Sequence, residues 1–285
     1  ATIENVRFAR ANGADGAILA APAYICASEA DAEQFFLEVA DATDLPLGIY
    51  NNPPRVKTDH HRDHLQRIFR HPNYVVHKES TTRVGQVAQV LAAQPDVSVM
   101  CCDSPNLGLV VPTMSLGGHG TANMTGNIAP AELATISAPW RGYAEAQAFK
   151  ETYLRCLPLL HYTSSAINPV AVKSLMRAIG LPAGALRRPL RALEGEALEK
   201  GVRVVRELGL DRKYGTGVPS GGVRREESSR RRRVTPGSSR ARRRRTPRRE
   251  SPRRRAPWPR GAGGSRTRRR SPPAPARSRG VPAPA

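Results

Sequence analysis

From Ala1 to about Gly215, short apolar runs alternate with helix-period segments, and that alternation leaves few folds open. Ala17 to Ala21, Leu45 to Tyr50, Tyr74 to Lys78, Val97 to Cys101 and Thr121 to Thr125 read as strands, buried ones by their length and flanks. Ser28 stands as an N-cap for a helix reaching about Asp41, with Phe35, Phe36 and Val39 on its inward stripe. Asp59 to Phe69 and Val84 to Ala93 continue the helical series. Pro105 to Leu116 closes it and is expected to bend at Pro112, because an interior proline loses a hydrogen bond. A further helical pattern, Ile3 to Ala11, stops at Asn12-Gly13 ahead of the first strand. Five strands separated by four helices predict a parallel α/β sheet. From Pro130 to Tyr214 the pattern is helical throughout, with long helices over Ala144 to Leu160, Val170 to Ile179 with Gly180 as its stop, and Leu193 to Leu208 with Gly209 after it. An eight-unit barrel takes about 250 residues, and an open five-stranded array leaves two unpaired edges. The chain reads as if earlier units had been cut away, since it opens at Ala1 inside a helical pattern.

Charge divides the chain sharply. From Val218 onward there are 23 Arg, 3 Glu, no Lys and no Asp, a net +20 against +21 for all 285 residues. The basic balance therefore belongs to the tail. Arg230 to Arg233, Arg242 to Arg245, Arg253 to Arg255 and Arg268 to Arg270 are spaced by Pro, Ser, Gly and Ala. Such a stretch buries too little apolar surface to offset its ordering entropy, so residues 216–285 are expected to be a disordered tail. Three readings of it stay open: phosphate-mediated nucleic-acid binding, an inert linker, or non-native translation of a GC-rich sequence. The four cysteines form no Cys-x-x-Cys pair and no metal spacing. They suit a reducing cytosol, and no apolar stretch reaches membrane-spanning length, so a cytoplasmic protein is expected.

The chemistry-bearing residues sit where strands end. Tyr50-Asn51-Asn52-Pro53-Pro54-Arg55 closes the second strand and Lys78 closes the third, and strand carboxyl ends are where α/β proteins place their sites. The Tyr50-Asn51-x-Pro53-x-Arg55 turn resembles the substrate-binding turn of the dihydrodipicolinate synthase / N-acetylneuraminate lyase family of class I aldolases. Lys78-Glu79-Ser80 is similar to that family's Schiff-base strand. Leu116-Gly117-Gly118-His119-Gly120 and Asn168-Pro169-Val170-Ala171-Val172-Lys173 match later signatures in order. The resemblance covers about residues 1–215. It implies a partial TIM (β/α)8 barrel over 1–130, about the last five βα units, with a helical region over 131–215 in the same domain.

The resemblance also implies roles. Lys78 would condense with pyruvate or another 2-oxo acid to an imine, which loses a proton to become an enamine and attacks a small aldehyde. Tyr50 would shuttle protons, and Arg55 would hold a substrate carboxylate through its planar fork. Tyr24 would join the proton relay across a subunit contact, and Thr121 would line the pyruvate pocket, through backbone more than side chain. No cofactor and no metal are implied, and the family tends toward tetramers. The leading activity is lysine-biosynthetic dihydrodipicolinate synthesis; the alternatives are another 2-oxo-acid aldolase or dehydratase, or an inactive fragment. Taken singly, Lys78 could instead be a strand-end lysine with its head in solvent, Tyr50 a packing residue and Arg55 a solvated loop arginine.

Two departures from the family stand out. Its Gly-Thr-Thr-Gly-Glu stretch, which holds the pyruvate carboxylate, is absent from this sequence. Its Ser-Gly-Asp-like loop reads Cys101-Cys102-Asp103-Ser104, which puts aspartate semialdehyde as second substrate in doubt. His60, His61 and His64 lie close together on the Asp59 to Phe69 helix and are expected to form a solvated face rather than a metal site. His77 should point to the sheet face opposite Lys78, and His119 belongs to a glycine-rich turn.

Overall fold

The computed structural model describes residues 1–93 and 95–215; the arginine-rich tail expected over 216–285 lies outside the described residues. Five strands, β1 (Ala17–Leu19), β2 (Leu47–Asn51), β3 (Tyr74–Glu79), β4 (Ser98–Cys101) and β5 (Gly120–Thr121), form one sheet in sequence order. All four pairings are parallel. Helices α1 (Thr2–Ala11), α2 (Glu29–Asp41), α3 (Pro53–Val56), α4 (Arg62–Ile68), α5 (Gly85–Ala92) and α6 (Val110–Ser115) alternate with the strands. Then follow α7 (Pro130–Ile136), α8 (Tyr143–Thr163), α9 (Val170–Ala178), α10 (Gly195–Glu207) and α11 (Leu210–Tyr214).

The predicted elements occur, with physical corrections. Ser28 caps α2 as expected, its Oγ accepting the Asp31 N–H at 3.2 Å. The Asp59–Phe69 segment is helical only from Arg62, and a one-turn helix, α3, precedes it where Pro53 and Pro54 preset the first helical turn. The Pro105–Leu116 helix breaks at Gly108, not at Pro112. Gly108 takes φ +66° after a 3-10 turn over Pro105–Leu107, and Pro112 sits in the first turn of α6, where its missing N–H has no intrahelical partner to lose. The last strand ends at Thr121 rather than running to Thr125, because Asp103 draws the following backbone into a 3-10 turn over Thr125–Asn127. Residues 181–194 are not helical, so the carboxy-terminal region is not helical throughout.

The strands are buried on one face rather than two. Leu19, Ile49, His77 and Val99 stand in register under the helices and are buried. The alternate residues leave the other face open, with Ile18 52% exposed. Gly48 lies at the middle of that open face. A Cβ there would stand 3.1 Å from both Ile18 Cγ1 and Val76 Cβ, so glycine lets the flanking side chains close over β2. The core has two clusters that meet along α5. Val90 belongs to the cluster of β1–β3 and α2, Val87 to that of α6–α11, and Leu91 touches both.

Candidate active site

Pairing of β2 with β3 sets Tyr50 opposite Lys78 on the open face of the sheet. Lys78 Nζ lies 3.9 Å from the centroid of the Tyr50 ring, well inside cation–π range. Asn52 Nδ2 donates to the Tyr50 hydroxyl oxygen at 2.6 Å, which leaves the phenol proton free to face another oxygen. Two of the five expected site residues are thus in direct contact.

Arg55 is exposed on α3, the one-turn helix that directly follows β2. Lys57 ends that turn in the left-handed region at φ +67°, and Thr58 Oγ1 donates to the Ala27 carbonyl at 2.8 Å. The Arg55 loop is thereby tied to the loop that carries Tyr24. Tyr24 itself is 97% exposed with φ +73°, and among the described residues no hydrogen bond or ring contact joins it to Tyr50 or Lys78. Thr121 stands in register with Cys101 and Glu79, on the helix side of the sheet, and its Oγ1 lies 2.5 Å from Ser137 Oγ. Only its backbone can reach the Lys78 side. There Met100 and then Gly120 continue the row that starts with Tyr50 and Lys78.

Behind the rim lies a buried polar network that residue-by-residue reading did not single out. Glu79 Oε1 accepts Asn51 Nδ2 and the N–H groups of Ser80 and Thr81, at 2.9 to 3.0 Å. Its Oε2 accepts His77 Nε2 at 3.1 Å and Gln86 Nε2 at 2.9 Å. Burial alone would push this carboxyl up, but the hydrogen bonds from His77, Gln86 and Ser80 outweigh it and hold Glu79 below the usual carboxylate range. Asp59 repeats the balance: desolvation raises it, and Arg83, Asn51 and Thr81 bring it down on net. One strand further, Asp103 Oδ2 accepts the N–H groups of Met124 and Thr125 at 3.2 and 3.0 Å and so ties the β4 rim to the turn after β5. Burial pushes the neighbouring Cys101 thiol up to about 12, which removes it as a nucleophile. Asn51 and Glu79 stand within the Tyr50–Arg55 turn and the Lys78-Glu79-Ser80 strand end. Each directly follows a site residue, so the two-residue strand period sends both to the opposite face together.

The histidines divide. His77 points away from Lys78, as the strand period requires. His60 is not on a solvated face: it precedes α4 and is fully buried against Phe36, with ring centroids 5.3 Å apart. His61 and His64 are engaged by acids of α2, Nδ1 of His61 lying 2.5 Å from Glu29 and Nδ1 of His64 2.9 Å from Glu33. Among the described residues no group of three or more His, Cys, Asp or Glu could hold a metal ion, and no helix is long and apolar enough to cross a membrane.

A parallel α/β sheet carrying a lysine–tyrosine pair on the carboxyl rim of adjacent strands defines the general class. A family profile for the dihydrodipicolinate synthetase family matches residues 2–208, and the chain belongs to that family. The 4-hydroxy-tetrahydrodipicolinate synthase of Exiguobacterium sibiricum is 31% identical over 191 residues, covering 66% of this chain and 64% of the relative. That of Methanosarcina acetivorans is 29% identical over 199 residues, covering 70% and 67%. Among solved structures, the chloride-inhibited dihydrodipicolinate synthase of Acinetobacter baumannii complexed with pyruvate is 28% identical. It superposes with a TM-score of 0.66 over 73% of this chain and 70% of that one. The chain spans about two thirds of the length of the curated relatives it matches.

Proposed function

We propose that Lys78 forms an imine with pyruvate or another 2-oxo acid and that the derived enamine adds to a small aldehyde, as in 4-hydroxy-tetrahydrodipicolinate synthesis. The observation that carries this reading is the contact of the Lys78 nitrogen with the Tyr50 ring, 3.9 Å from its centroid, at adjoining strand ends. The lysine, as the free amine, adds its lone pair to the C2 carbonyl, and the oxygen leaves as water once it has taken up two protons. Tyr50 is the group placed to pass them, since its hydroxyl oxygen already accepts from Asn52 and its own proton points elsewhere. Loss of a C3 proton from the imine with its nitrogen protonated then gives the enamine, whose C3 bonds to the aldehyde carbon as the aldehyde C=O π bond opens and its oxygen takes up a proton, the nitrogen returning to an iminium. Arg55 clamps a carboxylate, Tyr24 serves the relay from a neighbouring subunit of a homo-oligomer, and the Thr121 backbone borders the pocket. The five-stranded sheet is, on this reading, the last five units of a (β/α)8 barrel, with α7–α11 as its helical extension.

Borohydride trapping with pyruvate tests it. The full 285-residue chain should gain a reduced pyruvyl adduct that maps to Lys78 and is lost in Lys78→Ala. An unmodified Lys78 peptide in the wild-type chain would refute the imine.

A further inference from the structure

β2 and β3 each carry a candidate site residue and a buried polar residue back to back. Tyr50 pairs with Lys78 across β2 and β3, and the next pair along is Asn51 with Glu79. Successive side chains alternate across a sheet, so the first pair meets on the open face and the second under the helices. There Asn51 and Glu79 are 0% and 1% exposed and are joined by the Asn51 Nδ2 to Glu79 Oε1 hydrogen bond of 3.0 Å. The same amide closes the loop that bears Arg55. Asn51 Nδ2 also donates to Asp59 Oδ1 at 2.9 Å, and Asn51 Oδ1 accepts the His60 N–H at 3.1 Å. Residues 52–59 are drawn into a loop with Asn51 at its neck.

Burying a carboxylate costs stability unless every lone pair is matched, and an apolar pair would pack the same space at no such cost. What a polar pair adds is direction, because its hydrogen bonds fix distance and angle where apolar contact fixes neither. A displacement of about 1 Å at a reacting pair is enough to slow chemistry by orders of magnitude. We propose that Asn51 and Glu79 are positioning residues: their clamp behind the sheet sets the contact of Tyr50 with Lys78 in front of it, and Asn51 fixes the reach of the Arg55 loop. The consequence for catalysis rests on the imine reading of Lys78; the clamp itself is tested without substrate.

The test is brief acetylation of the full chain with acetic anhydride, read by peptide mass mapping, with exposed Lys150 and Lys200 as internal references. In Asn51→Ala the Lys78 labelling relative to these references should rise about threefold, the factor that corresponds to losing a partly exposed cation–π contact. Glu79→Gln keeps shape and volume and should shift the ratio in the same direction by less. An unchanged ratio in Asn51→Ala overturns the proposal, as does a rise shared by all three lysines, which would mark general loosening. Should Asn51→Ala fail to fold, Glu79→Gln decides by the same criterion. Pyruvate and borohydride are run alongside. A raised Lys78 ratio with no wild-type adduct removes the imine reading and keeps the clamp. A wild-type adduct that forms more slowly in the variant supports both.

Discussion

His60 brings an imidazole into the interior against Phe36, where Nδ1 and Nε2 meet no hydrogen-bond partner among the described residues. Desolvation lowers its pKa from 6.5 to about 4, so the ring is neutral in the fold at pH 7. Between those values the unfolded chain binds the proton that the folded chain refuses, and stability therefore falls as pH drops from 6.5 toward 4. The full shift corresponds to roughly 3 kcal/mol. His60→Leu removes both this liability and the unmatched nitrogens. It should add about 1–2 kcal/mol at pH 7 and a larger increment at pH 4.5. Urea unfolding of both chains at the two pH values checks it, and an increment that does not grow on acidification would show that His60 keeps its proton in the fold. Lys78 and Tyr50 present the opposite case at the same scale. Their residue types and strand-end positions were legible in the sequence, whereas their contact depends on which residue of β2 faces which residue of β3. That register is set by pairing between strands remote in sequence, and no local pattern encodes it.

At the scale of elements, α2 shows how local chemistry decides a boundary. Ser28 Oγ accepts the Asp31 N–H and donates to Asp31 Oδ2 at 2.6 Å, with Glu29 and Asp31 adding negative charge to the first turn. Ser28→Ala should cost about 1 kcal/mol, measured as a shift of the urea midpoint at unchanged slope. The boundaries that were legible are those with such a local cause: Ser28 before α2, Gly180 after α9 and Gly209 after α10. The ones that were not have a tertiary cause. Thr121 to Thr125 has strand composition, yet Asp103, 22 residues before Thr125, captures the N–H groups that a strand would have offered to a neighbour. Asp59 to His61 has helical periodicity, yet the Asn51 side chain holds Asp59 and His60 in the loop. His60 then turns inward, where sequence spacing alone placed it on a wet helix face.

For the molecule as a whole, the parallel array was legible because each βα alternation forces the next strand to run the same way, and the five strands do lie in sequence order. What the alternation did not state is that the described helices cover one face only. The open face carries Lys78, Tyr50, Val76 and Met100, partly exposed, and Ile18. Ile18 is 52% exposed there, so the surface that bears the candidate site also presents apolar area, and exposed patches of this kind bind amphiphilic dyes. The chain should therefore enhance anilinonaphthalene sulfonate fluorescence in its folded state, and Ile18→Asp should reduce that signal by roughly half. The substitution falls on β1, on the open side, and leaves Leu19 and the helix-facing core in place. Dye binding that is equal in the two chains would place the patch elsewhere, for instance along the aromatic groove of α8 formed by Trp140, Tyr143 and Tyr153. A loss of signal on adding pyruvate to wild type, together with its absence in Lys78→Ala, would tie the dye, the patch and the lysine to one face of one sheet.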